Sequence, residues 1–157
     1  MTTVTLDTLV PDFEIAATGD QTIKLSDFRG NNILLYFYPK DHTPGCTTEG
    51  RDFRDNIDQF DALGTVIFGI SRDTVRTHEN FKCKQEFPFE LLSDNDEQLC
   101  NLFDVIKMKN MYGKQVRGIE RSTFLIDKKG ILIHEWRKVK VKTHVQEVLE
   151  TLQEKLQ

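Results

Sequence analysis

The sequence predicts an α/β fold, with a central mixed sheet flanked by helices and a β-hairpin extension at the N-terminal end. Three observations carry this. Apolar strand-like runs alternate with helical ones through the middle of the chain, which implies parallel strands covered by helices. A turn-linked pair of strands precedes that alternation and another follows it, which adds antiparallel strands. The 157 residues, 38% hydrophobic and 29% charged, contain no repeat, low-complexity segment or linker, so one domain over 1–157 is expected.

Each element has a local reason. Phe13-Glu14-Ile15 and Thr22-Ile23-Lys24-Leu25 flank Thr18-Gly19-Asp20 as a hairpin. Ser26-Asp27-Phe28-Arg29-Gly30 reads as a helical turn closed by glycine. Residues 33–38 are a continuous apolar run, the pattern of a buried strand, and 47–62 place Phe53, Ile57 and Phe60 at helical spacing. Thr65 to Ile70 is a second strand, and Asp73 opens a helix that runs to about Glu86. A short strand follows from Phe89 to Leu92, then a short helix from Asp96 to Phe103 carrying Cys100. Residues 105–120 are polar and contain glycine, which predicts a long loop. Ser122 to Asp127 and Ile131 to about Lys142 read as strands joined by Lys128-Lys129-Gly130, the alternation of lysine and valine over 138–142 marking a solvated strand face. Val145, Val148, Leu149, Leu152 and Leu156 make the apolar stripe of a last helix. The whole is a thioredoxin-like plan without a C-x-x-C pair.

Composition excludes several function classes. The net charge of −4 gives no electrostatic footprint for nucleic acid. The first residues have neither a basic nor an apolar leader region, and no apolar run is long enough for a membrane span, so a cytoplasmic location without membrane contact is expected. Three cysteines without C-x-x-C argue against a disulfide framework or a cysteine zinc site, and the four histidines lack ligand spacing. No metal or bound cofactor is expected.

Cys46 stands out. It lies between an apolar strand and a helix, behind Thr43, a good N-cap, and Pro44, suited to a first helical position. Orphan N–H groups and the helix dipole there favour negative charge, hence the nucleophilic thiolate. The competing reading is a small buried hydrophobe.

The run Pro39-x-x-x-Thr43-x-x-Cys46, within Tyr-Pro-Lys-Asp-x-Thr-Pro-Gly-Cys-Thr-Thr-Glu, resembles the peroxidatic motif of the peroxiredoxins, and the bacterioferritin-comigratory-protein or PrxQ branch in particular. Leu91-Leu92-Ser93-Asp94 and Arg121-Ser-Thr-Phe-Leu-Ile-Asp are similar to that branch too. The resemblance covers the chain from Pro11-Asp12-Phe13 to the final helix. It implies that the Cys46 thiolate attacks a peroxide, that Thr43 and the N–H groups of Gly45 and Cys46 face the substrate, that Pro39 shields the sulfur, and that Arg121 stabilises thiolate and peroxide. Read alone, Arg121 is a strand-terminal surface cation. Glu49 matches the motif as well, and the sequence leaves open whether it orients the loop or caps the helix.

Attack leaves a sulfenic acid that a second thiol must resolve. In many PrxQ relatives that thiol lies five positions after the first, where this chain has Arg51. Cys83 and Cys100 remain. Helical periodicity puts Cys83 on the polar side with Arg76 and Glu79, an accessible place, and Cys100 beside Leu99 and Phe103, a buried one. Some PrxQ relatives place their resolving cysteine on the helix that carries Cys83 here. The resulting expectation is an atypical two-cysteine thiol peroxidase, a monomer with a Cys46–Cys83 disulfide, re-reduced by thioredoxin or glutaredoxin. The alternatives are a thiol–disulfide oxidoreductase, which the missing C-x-x-C disfavours, and a redox-sensing or binding protein, which would not require Thr43 and Arg121.

Overall fold

The computed structural model describes residues 3–156. In chain order it has β1 (Glu14–Ala17), β2 (Gln21–Lys24), a 3-10 turn (Leu25–Phe28), β3 (Asn32–Phe37), α1 (Pro44–Asp55), α2 (Ile57–Ala62), β4 (Thr65–Ser71), α3 (Val75–Gln85) and β5 (Glu90–Ser93). It continues with α4 (Gln98–Leu102), β6 (Ile106–Met111), β7 (Lys114–Ile119), β8 (Ser122–Ile126), β9 (Leu132–Trp136) and α5 (Val141–Leu156). A seven-stranded sheet has the order β2-β1-β5-β4-β3-β8-β9. The inner trio β3, β4 and β5 is parallel, and the β1–β2 and β8–β9 hairpins add antiparallel partners. The predicted α/β, thioredoxin-like architecture with a mixed sheet is therefore present.

β3 organises the interior, because all six of its residues are buried. Strand side chains alternate between faces. Ile33, Leu35 and Phe37 join one apolar cluster with Phe103, Phe124 and Leu132. Leu34, Tyr36 and the following Tyr38 join the other, with Cys46, Phe53, Phe81 and the α5 stripe of Val145, Val148, Leu149 and Leu152. Cys46 thus sits against the helix-covered face of the central strand.

Three local expectations need correction. The helix read over 47–62 is two helices broken at Asn56, whose backbone (φ −114°, ψ 13°) leaves the helical range. The loop read over 105–120 is the hairpin β6–β7. Its turn residues Tyr112 (φ 54°) and Gly113 (φ 78°) both take positive φ, as a tight two-residue hairpin requires. Among the described residues β6–β7 pairs with no other strand, and it is largely exposed on both faces, so no apolar alternation marks it. It is held instead by Arg117, whose two guanidinium nitrogens lie 2.6 Å from the two oxygens of Glu97, a carboxylate that also accepts from Arg72 at 3.0 Å. The strand read from Ile131 to Lys142 stops at Trp136. Arg137 donates to the carbonyls of Phe103 and Asp104 and lies over the Phe124 ring, Lys138 turns the chain at φ 52°, and α5 begins at Val141.

The sheet is packed to the point that one methyl group is felt. A Cβ on Gly69 of β4 would lie 2.8 Å from Leu91 Cδ2 and 2.9 Å from the Tyr36 hydroxyl. Gly69→Ala is expected to lower unfolding stability by about 1–3 kcal/mol through overpacking. Urea denaturation checks this, and an unchanged midpoint would contradict the packing described.

Candidate active site

Cys46 is the third residue of α1, after Pro44 and Gly45. The N–H groups of Gly45 and Cys46 have no partner inside the helix, so they point out of its N-terminal end. Thr43 occupies the N-cap position in extended conformation, but its hydroxyl does not cap. It donates to the Lys40 carbonyl at 2.8 Å, which leaves its lone pairs free. The capping role expected of the Thr43 side chain is therefore corrected. Cys46 is 2% exposed, so the burial that the competing reading requires is real, yet its neighbours are polar as well as apolar.

Arg121 sits in the gap between β7 and β8, and its guanidinium reaches α1. Nη1 donates to Glu49 Oε1 at 2.5 Å and Nη2 to Cys46 Sγ at 3.5 Å. Cys46 and Glu49 are one helical turn apart and share a face, so one planar fork serves both. A lysine, with a single charged nitrogen, does not offer two parallel donors. Gly45 leaves the fork its space, since a Cβ there would stand 3.2 Å from Nη2. Behind Arg121, the Val139 N–H holds the Arg121 carbonyl at 3.0 Å.

Glu49 is fully buried. Oε1 has Arg121, but among the described residues Oε2 has no hydrogen-bond partner. Burial therefore outweighs the attraction of Arg121, and the carboxyl is pushed up from 4.5 to about 7. The Tyr36 hydroxyl, on the same face of the sheet, is likewise buried without a partner. Burial first, then the negative potential of Glu49 and Cys46, keeps that phenol protonated.

The expected residues divide cleanly. Thr43, Gly45, Cys46, Glu49 and Arg121 converge at the start of α1, and Pro39 lies half-buried in the loop leading there. Cys83 is apart, solvent-exposed on α3, and all three cysteines are free thiols. Cys100 is fully buried, and burial together with Asp94 pushes its thiol up. Two features escaped the sequence reading. Lys109 of β6 is half-buried close enough to Arg121 to be affected: burial, then repulsion from Arg121, pulls its ammonium down. Asp41 and His78 form a buried pair between the Cys46 loop and α3. No periodicity could have found either, because both depend on how distant segments meet.

The AhpC/TSA family profile matches residues 6–135. The protein named Peroxiredoxin Bcp of Bacillus subtilis (strain 168) is 53% identical over 152 residues, 97% of each chain. Among solved structures, the bacterioferritin comigratory protein of Xanthomonas campestris, described for its alkyl peroxide reduction activity, superposes with a TM-score of 0.88 at 50% identity over 92% of each chain. PrxQ of Xylella fastidiosa, solved as a cysteine-to-serine mutant, gives a TM-score of 0.91 at 41% identity over 98% of each chain.

The half-satisfied Glu49 makes stability depend on pH. Its folded value, about 7, lies above the 4.5 of an unfolded chain, so the folded state holds the proton more tightly. That contribution is complete below about pH 4.5 and is lost as pH rises through about 7. Wild type is expected to lose on the order of 2–3 kcal/mol relative to Glu49→Gln between these limits. Paired urea titrations at pH 5 and pH 8 check this; a pH-independent difference would show that Glu49 is ionised throughout.

Proposed function

The chain belongs to the AhpC/TSA family, in its Bcp/PrxQ peroxiredoxin branch, and is a thiol peroxidase that reduces peroxides with a thiol reductant; from that premise we propose that Cys46 is its peroxidatic nucleophile and Cys83 its resolving thiol. The observation that carries the first assignment is the Arg121 fork, which puts Nη2 3.5 Å from Cys46 Sγ while Glu49 fixes the other arm. The cationic fork and the open end of α1 offer donors to an oxygen gaining charge.

The chemistry follows. The Cys46 thiolate attacks the terminal oxygen of ROOH, an S–O bond forms, the O–O bond breaks, and RO⁻ leaves to take a proton from solvent. The product is Cys46 sulfenic acid. Arg121 Nη2 and the N–H groups of Gly45 and Cys46 stabilise the charge moving onto oxygen. The Thr43 hydroxyl, already donating to Lys40, accepts a hydrogen bond from the peroxide O–H. Pro39 limits access of water to the sulfur. Glu49 acts as a positioning residue, orienting the guanidinium.

Cys83 thiolate then attacks the Cys46 sulfenic sulfur, the disulfide forms and hydroxide leaves as water after protonation. An external dithiol of the thioredoxin or glutaredoxin kind exchanges with the exposed Cys83 sulfur and returns both thiols. The burial of Cys100 supports its exclusion from this cycle. One domain and one subunit suffice, so we propose a monomer, and the need for a reducing dithiol pool fits the cytoplasm. Among the described residues, no helix is long and apolar enough to cross a membrane.

Cys46 is buried on α1 and Cys83 is exposed on α3, both as free thiols, whereas a disulfide needs Cα atoms within about 7 Å and converging Cβ vectors; we infer that the structure rearranges before they bond. On that inference both segments loosen.

Peroxide consumption coupled to thioredoxin, thioredoxin reductase and NADPH tests the scheme. Cys46→Ser is expected to abolish activity, Cys83→Ser to stop after one turnover, and Cys100→Ser to stay near wild type. Full turnover by Cys83→Ser would remove the resolving assignment. Arg121→Lys is expected to lower kcat/KM by roughly 100-fold, the effect of losing one aligned donor in a charge-stabilising site. Hydrogen exchange over residues 44–52 and 76–86 is expected to be faster in the oxidised protein, and equal rates in both redox states would contradict the required loosening.

A further inference from the structure

We propose that the buried Asp41–His78 pair is a latch that holds the Cys46 loop closed against the very helix that carries Cys83, and so sets how fast the sulfenic acid is resolved. The proposal rests on Cys83 being the resolving thiol.

Asp41 lies in the loop between β3 and α1, five residues before Cys46, and is 3% exposed. His78 is on the inner face of α3, fully buried, five residues before Cys83. Nδ1 of His78 lies 2.6 Å from Asp41 Oδ2, and Nε2 lies 2.9 Å from the Leu92 carbonyl oxygen. The Leu92 carbonyl can only accept, so Nε2 donates to it, and Asp41 Oδ1 already accepts the Tyr38 hydroxyl at 2.7 Å. The hydrogen bond between Nδ1 and Asp41 Oδ2 then carries one proton between two buried groups. The contact leaves no room for an ion between the two groups, although Asp73 stands nearby. Asp73 Oδ2 is occupied by the Asp41 N–H at 2.9 Å and by the Ser71 hydroxyl.

Two packing contacts run beside the pair and join the same segments. The His42 ring, on a residue at φ 65°, meets Phe81 of α3 edge-on with centroids 5.1 Å apart. The Phe87 ring, just past α3, covers Gly50 of α1 so closely that any side chain there would collide with it. The chain from Asp41 to Gly50 is thus fastened to α3 and its exit by one buried hydrogen bond and two aromatic contacts. The hydrogen bond is the costliest of these to break, because separating it leaves polar groups without partners where water does not reach.

Closure serves attack, because the Arg121 fork needs Cys46 at the start of an intact α1. Resolution needs the opposite. On this proposal the rate of disulfide formation scales with the fraction of molecules in which loop and helix have parted. A strong latch keeps that fraction small, leaving the sulfenic acid time to meet a second peroxide and become sulfinic acid. A weak latch shortens that exposure. Asp41 and His78 are positioning residues here, since neither touches substrate or the reacting sulfur.

Asp41→Asn weakens the bond with shape retained, because the amide can still accept from Tyr38 but replaces the carboxyl that faces His78. His78→Gln removes the imidazole from the other side. Both are compared with wild type and with Ile126→Val, a control of about 1 kcal/mol on the opposite face of the sheet. Each protein is given peroxide under rapid quench, and sulfenic acid, disulfide and sulfinic acid are followed by mass, with the disulfide located by peptide mapping. Both latch variants are expected to form the Cys46–Cys83 disulfide about tenfold faster, the equivalent of ~1.4 kcal/mol, and to yield less sulfinic acid, while Ile126→Val stays within about twofold of wild type. Equal disulfide rates in all four proteins, or equal acceleration by the control, would overturn the latch. A wild-type disulfide that maps elsewhere would instead overturn the resolving assignment beneath it. Should the variants not fold, native-state hydrogen exchange of reduced wild type decides: residues 41–50 and 75–85 opening as one unit supports the latch, and independent opening overturns it.

Discussion

Arg121 reaches its two partners only because the chain on either side of it is pinned, and the rest of the site is arranged around that reach. The guanidinium comes from the gap between β7 and β8, which the Arg117–Glu97 pair steadies from one side and the Val139 N–H from the other. On α1 it meets two groups at the spacing of a helical turn, and Gly45, just before Cys46, leaves the fork unobstructed. A guanidinium can meet this demand and an ammonium cannot, because the donors must be parallel and fixed. The thiol, the carboxyl and the helix start are therefore not separate devices. Moving any one of them withdraws a partner from the same planar group.

The orphaned oxygen of Glu49 is the thermodynamic counterpart of that fork. A carboxyl fully satisfied by hydrogen bonds would stay ionised and inert, whereas this one is held between its two protonation states at neutral pH by burial on one side and Arg121 on the other. The neighbouring Tyr36 hydroxyl is also unpaired, so the space beneath Cys46 combines high burial with incomplete polar satisfaction. Such an arrangement is costly for folding. Its persistence at the reactive sulfur is what distinguishes this part of the core from the ordinary packing of Phe37, Phe103 and Phe124 across the sheet.

Much of this was legible in the sequence where burial imposes a period. β3 reads as a strand because both its faces are covered, and α5 because its stripe at Val145, Val148, Leu149 and Leu152 faces one way. The Thr43 to Cys46 run reads as a helix start from local rules, supported by likeness to a known motif. β6–β7 was missed because an exposed hairpin carries no such period, and its anchor, Arg117 on Glu97, is a long-range pairing. The break at Asn56 was missed because Ile57 and Phe60 continue the apolar pattern across it. Arg137 continues the strand pattern in sequence, although its side chain leaves the strand to donate to the Phe103 and Asp104 carbonyls. Asp41 and His78 carry ordinary-looking letters in two separate segments, and only the parallel packing of β3, β4 and β5, which sets the β3–α1 loop beside α3, brings them together.

Arg51 then acquires a meaning beyond the absence of a thiol. A resolving cysteine at that position would share α1 with Cys46, and unwinding one helix would bring the two together without disturbing α3. With arginine there, the proposed resolution by Cys83 calls for an opening that parts the Cys46 loop from α3. On that proposal the contacts between these segments, His78 on Asp41, Phe81 on His42 and Phe87 on Gly50, are what the opening has to break. Under the proposed cycle, reactivity toward peroxide and speed of recycling oppose each other through a single interface, and strengthening the site for the first step would slow the second. Placing the resolving thiol on α3 rather than α1 would shift control of that cycle from the stability of one helix to the strength of a contact between two.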